Sequence, residues 1–278
     1  GENRRAALAV RGQAAGVVRN NTLEDNGGYG IMVTHYAAPL VESNVLRGHA
    51  TAAVYVTGQS ECVIRGNHLE DNPGYGIMVS ASAKPLLEEN DLSRQGMPAI
   101  CVRGSAEGII RGNRLRDNHG HGIVVGGGAR PIVEGNAISG HAMPAITVKE
   151  KAAGIVRGNH LEANAGYGIV VATTASPLVE DNDLSGHGLP AIAVRDSAEG
   201  VIRANRLRGN SHYGILLAGM ARATVEGNVI SGQKHPAIAV LERAGGIIRG
   251  NHLEGTDGYA ILLRSTGQAL LADNHWAP

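Results

Sequence analysis

The chain has 278 residues and carries 25 basic and 25 acidic side chains, so its formal charge is zero with histidine neutral. That balance argues against nucleic acid or an anionic membrane as a partner held by net charge. No apolar run approaches the roughly 18 residues of a spanning helix, and there is no phenylalanine and little other aromatic material to fill a wide core.

An asparagine recurs every 23rd residue, twelve times: Asn21, Asn44, Asn67, Asn90, Asn113, Asn136, Asn159, Asn182, Asn205, Asn228, Asn251 and Asn274. A fixed short period marks units that cannot bury their own apolar face and must stack on their neighbours. With residues 4–26 as the first unit, each place within a unit becomes a column of the stack. Column 5 is apolar throughout, from Leu8 to Ile261, and so is column 7, from Val10 to Leu263. Columns 13 and 15, and 18 and 20, repeat that two-residue spacing, the period of a strand. Each unit is therefore expected to carry three short strands broken by corners, with Pro39, Pro85, Gly30 and Gly76 among the corner residues. A strand–helix–strand unit needs about 30 residues or more. The predicted fold is all-β: a single-stranded right-handed parallel β-helix of 12 turns of 23 residues, with three sheets and the asparagine amides stacked inside. At about 4.8 Å per strand the rod is roughly 55 Å long. It is read as one domain, residues 4–278, after an N-terminal extension at 1–3.

Gly74-Tyr75-Gly76-Ile77-Met78-Val79, followed by Pro85-Leu86-Leu87-Glu88-Glu89-Asn90-Asp91-Leu92, resembles the parallel β-helix repeat of the carbohydrate-binding and sugar-hydrolase superfamily. NosD-type periplasmic proteins and the β-helix of certain F-box proteins are similar. The resemblance covers the whole chain. It implies the fold and a secreted or periplasmic setting, but the superfamily mixes lyases, epimerases, hydrolases and non-catalytic binding domains, so it does not imply one function. The Asp-Pro-His-Asp motif of alginate epimerases is absent.

Adjacent units differ in kind, so the true repeat is 46 residues. Column 16 alternates Arg19, Glu42, Arg65, Glu88, Arg111, Glu134 and onward to Arg249. Alternation replaces repulsion between like neighbours with attraction, and reads as a charge ladder. Columns 14 and 6 point outward yet are mostly apolar, which makes them candidate contact surfaces, including for self-association. All turns have equal length, so any site is expected on a flat face.

The most polar face stacks His68, Asp91 and Arg114, and again His160, Asp183 and Arg206, with Glu70, Ser93 and Arg116 alongside. A carboxylate between an imidazole and a guanidinium suits general acid–base work on an acidic sugar. The whole constellation occurs twice, however, and a repeat seldom duplicates a catalytic site but does duplicate a charge-balancing ladder, which is the reading favoured here. Tyr75, Tyr167 and Tyr213 recur in column 3, where they can stack on sugar rings or on corner prolines. His121 replaces tyrosine in that column, near His119 and Gly126-Gly127-Gly128, and a break in a strict repeat is where function is expected to show. The candidate binding residues are therefore Tyr75, His119, His121, Tyr167, Tyr213 and Arg116. No cofactor and no metal site are expected, because the histidines lack zinc-ligand spacing. Cys62 and Cys101 fall on different faces, which disfavours a disulfide.

Together these readings predict a non-catalytic scaffold or binding module for a carbohydrate or protein partner. The alternative is a carbohydrate-active lyase, epimerase or hydrolase using the His/Asp/Arg face. Trp276 is expected to fold over the bottom of the core, and the N-terminal edge to be the weaker end, open to homo-oligomerisation.

Overall fold

The structure, a computed structural model, describes residues 5–277. The expectations for residues 1–3 and for the N-terminal edge up to residue 4 lie outside them. Each turn contributes one strand to each of three parallel 12-stranded sheets. In the first turn these are Leu8–Val10, Val17–Arg19 and Thr22–Glu24. Register is constant at one repeat: Leu8 pairs with Ile31, Leu86 with Ile109, Asp91 with Arg114. Inward Ile, Val, Leu and Ala columns form one continuous core, with Ile31, Ile77, Ile123 and Ile169 all wholly buried.

The asparagines do not lie within strands as the two-residue spacing implied. Asn44 sits between the strands Leu40–Glu42 and Val45–Arg47, at the corner joining the second and third sheets. The residue before it takes a left-handed conformation (Ser43 φ 55°), as do Glu89 at φ 55° and Asp181 at φ 54° in later turns. That conformation bends the chain and leaves backbone groups unpaired, and the asparagine satisfies them. Asn90 Nδ2 donates to Asn113 Oδ1 at 2.9 Å and to the Ile64 carbonyl at 2.9 Å, while its backbone N–H donates to the same Oδ1 at 3.0 Å.

A second inner ladder escaped the sequence reading. Five residues past each asparagine, buried Asn72, Asn118, Asn164 and Asn210 alternate with buried His49, Gln95, His141, His187 and Gln233. The backbone N–H of His141 donates to Asn164 Oδ1 at 2.9 Å, and that of Gln95 to Asn118 Oδ1 at 2.9 Å. Its signal was present as a 46-residue alternation, masked because two residue types share the partner position.

Gly76 lies inside a strand, Tyr75–Val79, and not at a corner. A Cβ there, or at Gly168, would come within 2.5 Å of the Ala99 or Ala191 carbonyl oxygen of the next turn. Close approach of that backbone, not turning, is what requires glycine.

The charge ladder resolves into discrete pairs. Arg65, Arg111, Arg157, Arg203 and Arg249 each reach back to the glutamate one turn earlier. For Arg111, Nε and Nη2 both contact Glu88 Oε2, at 2.9 and 2.7 Å. Between these rows the outward Leu86, Ile109 and Ile132 are half-buried.

Trp276 does not cap the core. It sits in the strand His275–Ala277, paired with Leu253, so its side chain continues the leucine column instead of folding across it. It is 62% exposed, and Leu263, Leu270 and Leu271 are exposed beside it. Both cysteines are buried and free.

Candidate functional site

The first sheet does not present the flat face expected of equal-length turns. Its outward residues Cys101, Val124, Thr147 and Val170 are at most 8% exposed, because the corners on either side stand above them. They floor an open groove of about 850 Å³ that runs along the solenoid axis. One rim carries Tyr75, His121 and Tyr167, with Met97, Met143 and Leu189 beside them. The other carries Arg103, Lys149, Glu150 and Arg195.

The rims follow from the 46-residue alternation. Tyr75, His121 and Tyr167 occupy alternate turns, with Pro98 and Pro144 between them. Arg103, Lys149 and Arg195 occupy the turns the tyrosines skip, with Gly126 and Ala172 between. Small residues in the intervening turns leave room between the long cationic side chains. Among the described residues Arg103 and Arg195 form no ion pair, whereas Lys149 Nζ lies 3.8 Å from Glu150. Glu150 Oε2 in turn accepts from the Gly127 backbone N–H at 2.5 Å. The basic row was not singled out from the sequence, although it carries the same period as the tyrosines.

His121 is tied to the floor of the groove. Its Nδ1 lies 3.0 Å from Thr147 Oγ1, one turn on. Burial, and then the nearby Lys149 ammonium, push the imidazole below its ordinary range, with the Pro144 carbonyl working the other way. The ring is therefore neutral near pH 7, oriented by a hydroxyl and close to a cation.

The remaining candidates lie elsewhere. Tyr213 packs edge-on against His212 and His235, at ring-centroid distances of 4.4 and 5.6 Å. His119 is exposed at a corner. Arg116 belongs to the third sheet, where it holds Asp91 Oδ2 at 2.9 Å. His68, Asp91 and Arg114 do stack in register there, as do His160, Asp183 and Arg206. Their carboxylates are held from the neighbouring column, Asp91 by Arg116 and Asp183 by Arg208, while Arg114 and Arg206 form no ion pair among the described residues. Glu70 pairs with Arg47 at 2.7 Å, Arg94 at 2.9 Å and His68 at 3.2 Å. Burial would raise its pKa, but hydrogen bonds from His68 and Arg94 win and hold it below the usual carboxylate range. His68 Nδ1 is 3.8 Å from Asp91 Oδ2, and His160 Nδ1 is 3.9 Å from Asp183, both too long to fix the imidazole by a hydrogen bond. Over Ala137, where the row is interrupted, Arg114 and His160 flank a shallow depression of about 330 Å³. Among the described residues no three His, Cys, Asp or Glu converge as metal ligands.

Three uniform parallel sheets wound as one coil, with a groove along one of them, define a parallel β-solenoid. The sequence matches the right-handed beta helix region family over residues 2–83 and 52–200, and the chain belongs to that family. Residues 167–276 also match the periplasmic copper-binding protein NosD family. No curated protein is detectably similar in sequence. Among solved structures, the periplasmic alginate epimerase AlgG superposes with a TM-score of 0.81 at 13% identity, covering 96% of this chain and 77% of that one. The catalytic unit of a GH87 alpha-1,3-glucanase from Streptomyces thermodiastaticus gives 0.71 at 14%, covering 94% and 63%. The A-module of the Azotobacter vinelandii mannuronan C-5 epimerase AlgE4 gives 0.57 at 14%, covering 91% and 88%. These structural neighbours are carbohydrate-active enzymes, and at such identities the likeness is one of fold.

Proposed function

We propose that this solenoid binds an acidic polysaccharide, laid along the groove of the first sheet. The observation that carries the reading is the pairing of an aromatic rim, Tyr75, His121 and Tyr167, with a cationic rim, Arg103, Lys149 and Arg195, across an apolar floor. Aromatic faces stack on the C–H faces of pyranose rings, and guanidinium and ammonium groups hold carboxylates. The groove is open along its length, which suits a polymer better than a small molecule. The structural neighbours named for carbohydrate polymers support a polysaccharide ligand, and the alginate and mannuronan epimerases among them an acidic one.

A second reading, a carbohydrate-active enzyme, draws on one observation: His121 is neutral, oriented by Thr147 and close to Lys149. In a uronate, such an imidazole can accept the proton α to the carboxylate while the ammonium stabilises the charge that develops on the carboxylate oxygens. Return of a proton to the opposite face gives the epimer. Loss of the glycosidic oxygen from the adjacent carbon instead gives an unsaturated sugar. Tyr75 and Tyr167 lie two turns from His121, roughly 10 Å along the axis, too far to serve as proton donor to the same sugar.

Calorimetric titration with uronate polymers and a neutral glucan, with product analysis by NMR, tests both readings. Binding of the acidic polymers alone, weakened by Tyr167→Ala, is the expected result. Equal binding of the neutral glucan would overturn the ionic part of the reading. Turnover abolished by His121→Ala would make the protein an enzyme at this groove, and turnover abolished instead by Asp91→Asn would move the site to the third sheet.

A further inference from the structure

The spacing of the groove's charges carries more than their sign. Backbone N–H groups of Arg103, Gly126, Lys149, Ala172 and Arg195 donate in turn to the carbonyls of Val79, Val102, Val125, Val148 and Val171. The column therefore advances without slip, one residue per turn. Cations stand at every second step, and the intervening Gly126 and Ala172 offer no charge. The floor keeps the same register, Cys101 with Val124, Val124 with Thr147 and Thr147 with Val170. Across the floor, Tyr75, His121 and Tyr167 repeat at two turns as well, one turn out of phase with the cations. The groove thus has a period of two turns, roughly 9.6 Å. That is comparable to the advance of two sugars, not one, in an extended pyranose chain.

Resting on the acidic-polysaccharide reading, we infer that the groove reads its ligand in disaccharide steps, taking a polymer that turns an anionic group towards one rim at every second sugar. An extended chain with a two-fold screw has this property even when every sugar is a uronate, because successive carboxylates face opposite sides. Strict alternation of charged and neutral sugars has it too. Arg103, Lys149 and Arg195 are the residues that set this frame, and the aromatic rim receives the ring faces between them. Glu150, close to Lys149 and tied to the Gly127 backbone, moderates the central cation and stands as a repulsive element against a carboxylate presented one step out of frame.

Titration with uronate oligosaccharides of two to eight sugars tests this. Affinity is expected to rise on each added pair of sugars and to level off once about three anionic groups meet the three cations. Lys149→Ala is expected to weaken the hexasaccharide about fivefold, the upper range for one exposed ion pair. Ala172→Lys, which places a cation in a skipped turn, is expected to leave hexasaccharide affinity within about twofold, because no carboxylate faces it. Thermal melts establish that each variant is folded. A smooth gain per single sugar, or a gain in Ala172→Lys as large as the loss in Lys149→Ala, overturns the two-turn frame while leaving the groove reading intact. Wild-type protein that binds no acidic polymer overturns the groove reading and the frame with it.

Discussion

Thr147 Oγ1 and His121 Nδ1 lie 3.0 Å apart, joining the floor of the groove to its aromatic rim across one turn. The contact holds the imidazole at the one place where the tyrosine column is broken. Burial and the nearby Lys149 give that imidazole a pH dependence. The His121 pKa is depressed, so the ring is neutral near pH 7 and gains its charge only as pH falls through that lowered value. Protonation adds a cation to a groove proposed to hold an anion. Affinity for an acidic polymer should therefore rise as pH falls from neutral through that lowered value, for as long as the uronates stay ionised. His121→Ala should flatten that rise. Thr147→Val, which frees the ring without changing its volume, should shift its midpoint. Titration calorimetry at constant ionic strength reads all three.

The asparagine ladder predicts a gradient of cost along the rod. In Asn136→Leu, the Asn113 backbone N–H and side chain lose the Asn136 Oδ1 acceptor, and the Ile110 carbonyl loses its donor. At about 1–3 kcal/mol for each orphaned buried group, the loss should be several-fold larger than for Asn274→Leu. Asn274 makes matching bonds to Asn251 and the Ile248 carbonyl but is only half-buried, so water can replace the partners lost there. Urea midpoints of the two variants check this, and equal midpoints would contradict it.

The second ladder makes the fold acid-sensitive. His141 and His187 are fully buried, and desolvation pushes each down to about 4. Their rings face the Leu115 and Leu161 carbonyls without closing a hydrogen bond, whereas His49 Nε2 reaches Leu23 O at 3.1 Å. The unfolded chain binds these protons near the ordinary histidine value of about 6.5 and the folded one only near 4. Between those values the unfolded state holds more protons, so stability falls as pH falls through that window and levels off below about 4. Each histidine accounts for about 3 kcal/mol over the window. The same column holds Gln95 and Gln233 in other turns, so a His141→Gln/His187→Gln variant should fold and lose most of this slope. Urea midpoints measured from neutral to acid pH give the answer.

The fold was legible because stacking turns periodicity into position. Once Asn21 and its eleven successors set the period, strand pairing, core columns and charge alternation followed. What escaped is what depends on height above the sheet. Cys101, Val124 and Thr147 read as a flat outward stripe, since sequence spacing gives direction but not how far neighbouring corners rise. Arg103, Lys149 and Arg195 passed as ordinary surface charges until they appeared along one rim, Arg103 and Arg195 without an ion pair among the described residues and Lys149 beside Glu150. The His68/Asp91/Arg114 row drew attention as chemistry, and its registry was correct. The carboxylates there, however, are held by arginines from other turns or columns: Glu70 by Arg47 and Arg94, and Asp91 by Arg116 through Oδ2, its Oδ1 staying buried without a partner.

Charge pairing predicts an asymmetric response at Glu88. Glu88→Gln removes one exposed pair with Arg111, at about 0.5 kcal/mol. Glu88→Arg stacks three guanidinium groups, from Arg65 through position 88 to Arg111, at strand spacing and should cost about 1–2 kcal/mol at low salt. Most of that excess should vanish at high salt, where charges are screened within a few ångströms. Melting temperatures at two salt concentrations separate the two effects.

Trp276 is the chain's one tryptophan, and its 62% exposure makes it a reporter of the lower end of the coil. Its emission should be that of a hydrated indole in the native state and be quenched readily by acrylamide. Trp276→Ala should cost under about 1 kcal/mol, as for a surface side chain, and not the several expected of a ring closing the core. The exposed Leu263, Leu270 and Leu271 around it form an apolar end. If copies associate there, dilution should move the emission to longer wavelength as the indole returns to water, and Leu271→Lys should abolish that dependence. Emission that is already shielded from quencher at the lowest protein concentration would show instead that the ring packs over the core.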